Sequence, residues 1–211
     1  MIIVYTIFLY FFSLYVIKKS IFFLSKYPLI DYPSDRSNHV SPTPKGAGIS
    51  IIPIIILSTI FFLYLDGNLI INWVLIFSLC LLLATISLVD DIRNLSTKIR
   101  LISQFLIVTL SLLLFYDQIY LFINEVINSH GLSILHIIII LLFLISWVWI
   151  INLFNFMDGM DGLTALQMCS VAICTNILAL MNHIGDEFRV LSLVIFTVYF
   201  AFYQFNKTPA K

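Results

Sequence analysis

The sequence predicts an all-α fold: a polytopic membrane helix bundle of about seven transmembrane helices, with the N-terminus outside. Three observations carry this expectation. The 211 residues are 61% hydrophobic and only 10% charged, and the mean hydropathy is +1.07. Soluble domains carry about 25% charged residues, so this chain lacks the groups to cover a water-facing surface. That excludes a soluble enzyme, a disordered tail and a nucleic-acid-binding domain. The apolar residues also gather into runs near the length of about 20 residues that a span needs. The basic residues, finally, sort to one side of those runs.

The runs fall at about 2–17, 48–65, 69–89, 101–116, 134–151, 163–181 and 190–203. The first has no basic residue before it and Lys18 and Lys19 after it, so it reads as a span and not as a cleaved signal. The others are apolar on every face, as spanning helices are and surface helices are not. Lipid-facing barrel strands would alternate polar and apolar residues. Only helices satisfy their own backbone within such runs. Trp73, Tyr116, Trp147 and Trp149 fall near run ends, where amphipathic rings favour the interface. Cys80, Cys169 and Cys174 lie inside apolar runs without zinc or disulfide spacing, and read as small packing residues.

The connections alternate between two sides: 18–47, 90–100, 152–162 and 204–211 on one, and 66–68, 117–133 and 182–189 on the other. Lys18, Lys19, Lys26, Arg36, Lys45, Arg93, Lys98, Arg100, Lys207 and Lys211 fall on the first side, and only Arg189 on the second. Short cytoplasmic loops collect Lys and Arg, which makes the first side cytoplasmic.

Three polar constellations occupy that side. Asp90-Asp91 follows the third run directly. Adjacent carboxylates at a membrane boundary repel each other, and desolvation adds to the cost. A divalent cation or the basic residues Arg93, Lys98 and Arg100 would relieve both. A solvated helix end is an equal competitor on composition alone. Mg²⁺ takes oxygen ligands, commonly one or two carboxylates plus substrate phosphates. The second constellation is Asn152-Leu-Phe-Asn155-Phe-Met-Asp158-Gly-Met-Asp161-Gly162. Asn155, Asp158 and Asp161 would span about 120° of a regular helix, and Asn152 widens the arc to about 180°. With Gly159 and Gly162 the segment reads as a re-entrant polar turn, tolerated at membrane depth only where it lines a cavity. The third is the loop from Asp31 through Arg36-Ser37-Asn38-His39 to Pro42-Thr43-Pro44-Lys45-Gly46-Ala47-Gly48. Its prolines stiffen the backbone, and its Arg, His and Lys offer donors to an anion. A stiff linker is the plainer explanation of that loop taken alone.

Together these motifs resemble the polyprenyl-phosphate N-acetylhexosamine-1-phosphate transferases of glycosyltransferase family 4, relatives of the phospho-MurNAc-pentapeptide transferase. The matching pieces are DYPSDRSNHVSPTPKGAG, LVDDIRNLSTKIRLISQ and NLFNFMDGMDGL. The first looks more like the GlcNAc, QuiNAc or FucNAc transferases of O-antigen and related glycans. The resemblance implies a transferase at the cytoplasmic face of the bacterial inner membrane. It would move an N-acetylhexosamine 1-phosphate from a UDP-sugar to undecaprenyl phosphate and release UMP. It implies Mg²⁺, with Mn²⁺ as a substitute. Asp90, Asp91, Asp158 and Asp161 would be catalytic, and Asp90, Asp91 and Asp161 would hold metal. Asn152, Asn155, Lys98, Arg100, Lys45, Arg36 and His39 would contact substrate. No nucleic acid is expected as a partner, and a homodimer is a candidate assembly.

The family usually has ten or eleven spans. It also carries a Gly-Asp-x-Gly-Ser motif directly after the segment resembling Phe205–Lys211, with a metal-binding aspartate, and a later basic loop. A single transferase domain equivalent to the N-terminal two-thirds of the family's length is therefore expected for residues 1–211. Two other classes compete: an inactive remnant or transporter, and an intramembrane prenyltransferase using Mg²⁺-diphosphate through Asn155-x-x-Asp158. Transporters place polar groups at mid-membrane, and the Asp-Asp pair does not suit the prenyltransferases.

Overall fold

A computed structural model describes residues 2–26, 30–31, 43–44, 46–127, 134–157 and 160–207. Eight helices form among them: α1 (Ile2–Leu24), α2 (Gly48–Leu65), α3 (Ile71–Arg93), α4 (Thr97–Leu114), α5 (Tyr116–Ile127), α6 (Ile134–Met157), α7 (Leu163–Leu180) and α8 (Asp186–Asn206). Seven of these, all but α5, are long and apolar enough to cross a membrane. The chain is thus an all-helical, multi-pass membrane protein. Among the described residues the one ladder is a two-residue antiparallel pairing of β1 (Ile30–Asp31) with β2 (Thr43–Pro44).

The helices outrun the apolar segments of the sequence. α1 continues through Lys18 and Lys19 to Leu24, and α4 begins at Thr97, so Lys98 and Arg100 are helical. Apolar runs mark membrane depth, whereas helices continue wherever the backbone remains paired. Lys and Arg are good helix formers and lay their stems along apolar neighbours. α6 reaches Met157, so Asn152 and Asn155 are helical and not part of a re-entrant turn. The same extension leaves Trp149 and Trp147 about 12–15 Å from the helix end, at 1.5 Å per residue, and not at it.

The chain divides into two compact units, Met1–Val74 with Met157–Lys211, and Leu75–Phe156. In the first, α8 packs against α1, α2 and α7. The core joins Leu9 and Ile17 of α1, Ile51 and Ile54 of α2, Ala165 of α7 and Val194, Val198 and Ala201 of α8. Lipid is as apolar as these side chains, so close packing and hydrogen bonds must hold helices together here. α7 turns a stripe of small residues inward: Ala165, Cys169, Ala172 and Ala179 are all buried. Asn176 Nδ2 donates to Ser192 Oγ across α7–α8 at 3.1 Å, and Ser20 Oγ donates to Ser50 Oγ across α1–α2 at 3.0 Å. The short link to α8 closes through Asn182, whose φ of +57° lets its N–H reach Ala179 O while His183 N–H reaches Leu178 O. Cys80 and Cys174 are exposed, so of the three cysteines only Cys169 is a buried packing residue.

The second unit contains most of α3 with α4, α5 and α6. The sequence assigned 117–133 to a connection, but Tyr116–Ile127 is helix. Twelve residues rise only about 18 Å, too short to span, and the segment is amphipathic rather than uniformly apolar. Tyr116, Tyr120 and Ile123 share one face at helical spacing, and Ile123 is 1% exposed. Tyr116 and Tyr120 stack at 6.0 Å, and Tyr120 lies 5.5 Å from the buried His136 ring of α6. His136 Nε2 shares a 2.8 Å hydrogen bond with Asn124 Oδ1.

Candidate active site

α3 ends because Asn94 adopts φ +50°, and its N–H donates to Asp90 O at 2.7 Å. Asn tolerates this left-handed region better than most residues. Ser96 then caps α4, its hydroxyl accepting from Ile99 N–H at 3.4 Å. Asp90 ties the two helices together. Its Oδ1 accepts from Leu95 N–H at 2.8 Å and its Oδ2 from Arg100 Nη1 at 3.1 Å. With Arg100 36% and Asp90 20% exposed, the ion pair is partly shielded from water. Asp91, the next residue, is exposed, as are Arg93 and Lys98. Two adjacent carboxylates therefore differ in surroundings: Asp90 clamps the turn, and Asp91 is exposed.

The same unit ties α4 to α6 through an amide pair. Asn152 Nδ2 donates to Gln104 Oε1 at 2.7 Å and to Val148 O at 2.8 Å, and Gln104 Nε2 returns a bond to Asn152 Oδ1 at 3.5 Å. Both N–H groups of Asn152 are thereby committed within the protein, while Asn155 is exposed. Both amides are half-buried, and a hydrogen bond between membrane helices is worth about 0.6–1.7 kcal/mol. Gln104→Leu and Asn152→Leu are each expected to lower thermal stability in detergent, and the double variant to fall no further than the worse single. Additive losses would show that the pair is not coupled.

In the first unit α7 starts at Gly162, whose φ is +77° and whose N–H donates to Asn206 Oδ1 at 3.0 Å. A Cβ at this position would lie 3.2 Å from Tyr203 Cε2. Gly162→Ala is expected to cost about 1–2 kcal/mol from left-handed strain alone, read as a lower melting temperature; an unchanged value would mean the turn rearranges freely. Asp161 precedes this turn and is half-buried. Asp158, Arg36, His39 and Lys45 lie outside the described residues.

The sequence drew attention to every carboxylate of this site but not to Gln104 or Asn206. Gln104 closes the LVDDIRNLSTKIRLISQ piece, but the sequence assigned it no role. Asn206 sits 44 residues from its partner Gly162, and no local pattern signals it. Among the described residues no three His, Cys, Asp or Glu side chains gather into a metal cluster. The donor set still suits Mg²⁺, a hard cation commonly held by one or two carboxylates with water and substrate phosphates.

A search of curated proteins found no match. The profile of glycosyl transferase family 4 matches residues 72–211. That stretch includes Asp90, Asp91, Lys98, Arg100, Asn152, Asn155, Asp158 and Asp161; residues 32–42 precede it. With about two-thirds of its length matched, including both carboxylate motifs, the chain belongs to glycosyl transferase family 4.

Proposed function

We propose that the chain transfers an N-acetylhexosamine 1-phosphate from a UDP-sugar to undecaprenyl phosphate at the cytoplasmic face of a bacterial inner membrane. The product would begin an O-antigen or other envelope glycan. One observation carries this reading: the α3–α4 turn holds the Asp90 carboxylate through Leu95 N–H and Arg100, with Asp91 and Lys98 exposed in the same short segment, within the family-matched residues.

The chemistry follows from charge. A lipid phosphate oxygen attacks the sugar-proximal phosphorus, the bond from that phosphorus to the bridging oxygen breaks, and UMP leaves. Phosphoryl transfer depends largely on positioning and charge neutralisation. Asp91 accepts a proton from the lipid phosphate at a carboxylate oxygen and keeps the attacking oxygen anionic. Lys98 and Arg100 offset the anionic charge brought together there. Asp90 holds the turn so that Asp91 and the cations keep their places. Asp158, Asp161 and Asn155 serve the nucleotide diphosphate, with Arg36, His39 and Lys45 as further anion contacts. Asp91 at the α3–α4 turn would hold Mg²⁺, which when bound would neutralise diphosphate charge.

Membranes containing the protein, given UDP-N-acetylglucosamine, undecaprenyl phosphate and Mg²⁺, are expected to release UMP and yield a lipid-extractable sugar diphosphate. A panel of UDP-N-acetylhexosamines identifies the sugar. Failure of every sugar to release UMP would overturn the reading. Diphosphate formed from a prenyl diphosphate instead would favour a prenyltransferase.

A further inference from the structure

α1 buries one stripe and exposes the opposite one. Leu9, Ser13, Ile17 and Leu24 are buried, and α1 packs against α8 and α2. Helical spacing puts Tyr15, Lys19, Phe22 and Lys26 on the other side, within an arc of about 60°, with Lys18 at its border. All five are exposed. α1 carries no Asp or Glu, so no carboxylate of the helix offsets the three ammonium groups.

Two of the lysines lie over rings instead. Lys19 Nζ is 5.7 Å from the centroid of Tyr15, and Lys26 Nζ is 4.4 Å from that of Phe22. An aromatic face attracts a cation at this range without neutralising it. The charge stays available to an anion.

The lysines also sit at a particular depth. From Ile2 to Lys18 the helix rises about 24 Å, less than the roughly 30 Å of a bilayer's hydrocarbon core. It then continues through Phe22 and Phe23, which are 62% and 58% exposed. Lys18 and Lys19 therefore lie between two exposed aromatic turns and not at a helix end. Amphipathic rings favour the zone where headgroups meet acyl chains, and lysine stems snorkel to it.

We propose that the outward face of α1 binds an anionic phospholipid of the leaflet on the basic side of the membrane. Its phosphate lies against Lys18, Lys19 and Lys26, and its acyl chains run along Tyr15 and Phe11. Charge complementarity selects this occupant. Three cations without a carboxylate fit an anionic headgroup, whereas a second copy of the same face would bring like charges together. The site stands apart from the transferase reading, because α1 precedes the family-matched residues 72–211.

The test uses the full chain in phosphatidylcholine vesicles with a minor share of phosphatidylglycerol. Phosphatidylglycerol carrying a diazirine near its glycerol is expected to label α1 peptides. The same probe built on phosphatidylcholine should label them about fivefold less. Each lysine near an anionic surface contributes about fivefold. Lys18→Gln, Lys19→Gln and Lys26→Gln together should therefore cut labelling by more than about tenfold, while Lys18→Arg, Lys19→Arg and Lys26→Arg together keep it. Added salt should weaken labelling of the unaltered protein. Inorganic phosphate at matched ionic strength should compete no better than chloride. Equal labelling by the two probes, or full labelling of the Gln variant, would overturn the proposal. So would competition by inorganic phosphate, which would make the ligand a free anion, or α1-to-α1 crosslinks in place of lipid labelling, which would give the face to a second copy. Should the Gln variant fail to insert, salt decides: labelling of the unaltered protein that ignores salt overturns the proposal as well.

Discussion

Asp91→Asn is expected to lower UMP release by roughly 10²–10⁴-fold, the usual contribution of a positioned acid–base group, while the protein still inserts into the membrane. The exchange keeps size and polarity but removes the charge and the proton-accepting oxygen. Asp91 is exposed at the end of α3, and the exchange keeps its shape, so insertion is expected to be unchanged. Asp161→Asn and Asp158→Asn are expected to fall by similar orders through the nucleotide side. Rates per mole of inserted protein, normalised by immunoblot, make the comparison. Wild-type rates for all three would refute the assignment of these carboxylates.

The second large effect should come from the clamp. Arg100→Met removes the partner of Asp90 Oδ2 and leaves that oxygen without its 3.1 Å bond. Both groups retain some exposure, so the stability lost should be modest, about 1 kcal/mol after allowance for solvent screening. Transfer should fall much further, by tenfold or more, because the turn that places Asp91 loosens and a phosphate contact disappears. Asp90→Asn weakens the same ion pair without touching the cation. A double-mutant cycle on the transfer rate decides how the two act. Strong non-additivity is expected, since either change releases one turn. Rate losses that multiply independently would mean that Asp90 works apart from Arg100, and the clamp would have to be abandoned.

Much of the fold was legible before any coordinate. A run of about twenty apolar residues has few options in lipid, where every backbone group must be paired within the segment. That constraint is local, so all seven spans could be read, with errors at their ends. The errors share a cause: α1, α3, α4 and α8 extend beyond the apolar run into charged residues, and α6 into Asn152 and Asn155, with the helical backbone still paired. α5 escaped because a short amphipathic helix has neither the length nor the uniform polarity of a span.

The candidate site was legible as composition and not as arrangement. The sequence located Asp90, Asp91, Asn152, Asn155 and Asp161 at helix ends on one side. It treated Asp90 and Asp91 as equivalent, and Asn152 and Asn155 as neighbours in one turn. The structure separates both pairs. Asp90 is bound to Leu95 N–H and Arg100, five and ten residues ahead. Asn152 is bound to Gln104, 48 residues behind it.

The sequence by itself determined that this is a multi-pass membrane helix bundle and where its polar motifs lie, because hydrophobicity and backbone pairing act over a few residues. Only the tertiary structure decided which polar groups pair with which. That choice depends on partners brought together across 10, 44 and 48 residues of chain, and a hydrogen bond forms only where packing puts donor and acceptor within about 3 Å of each other.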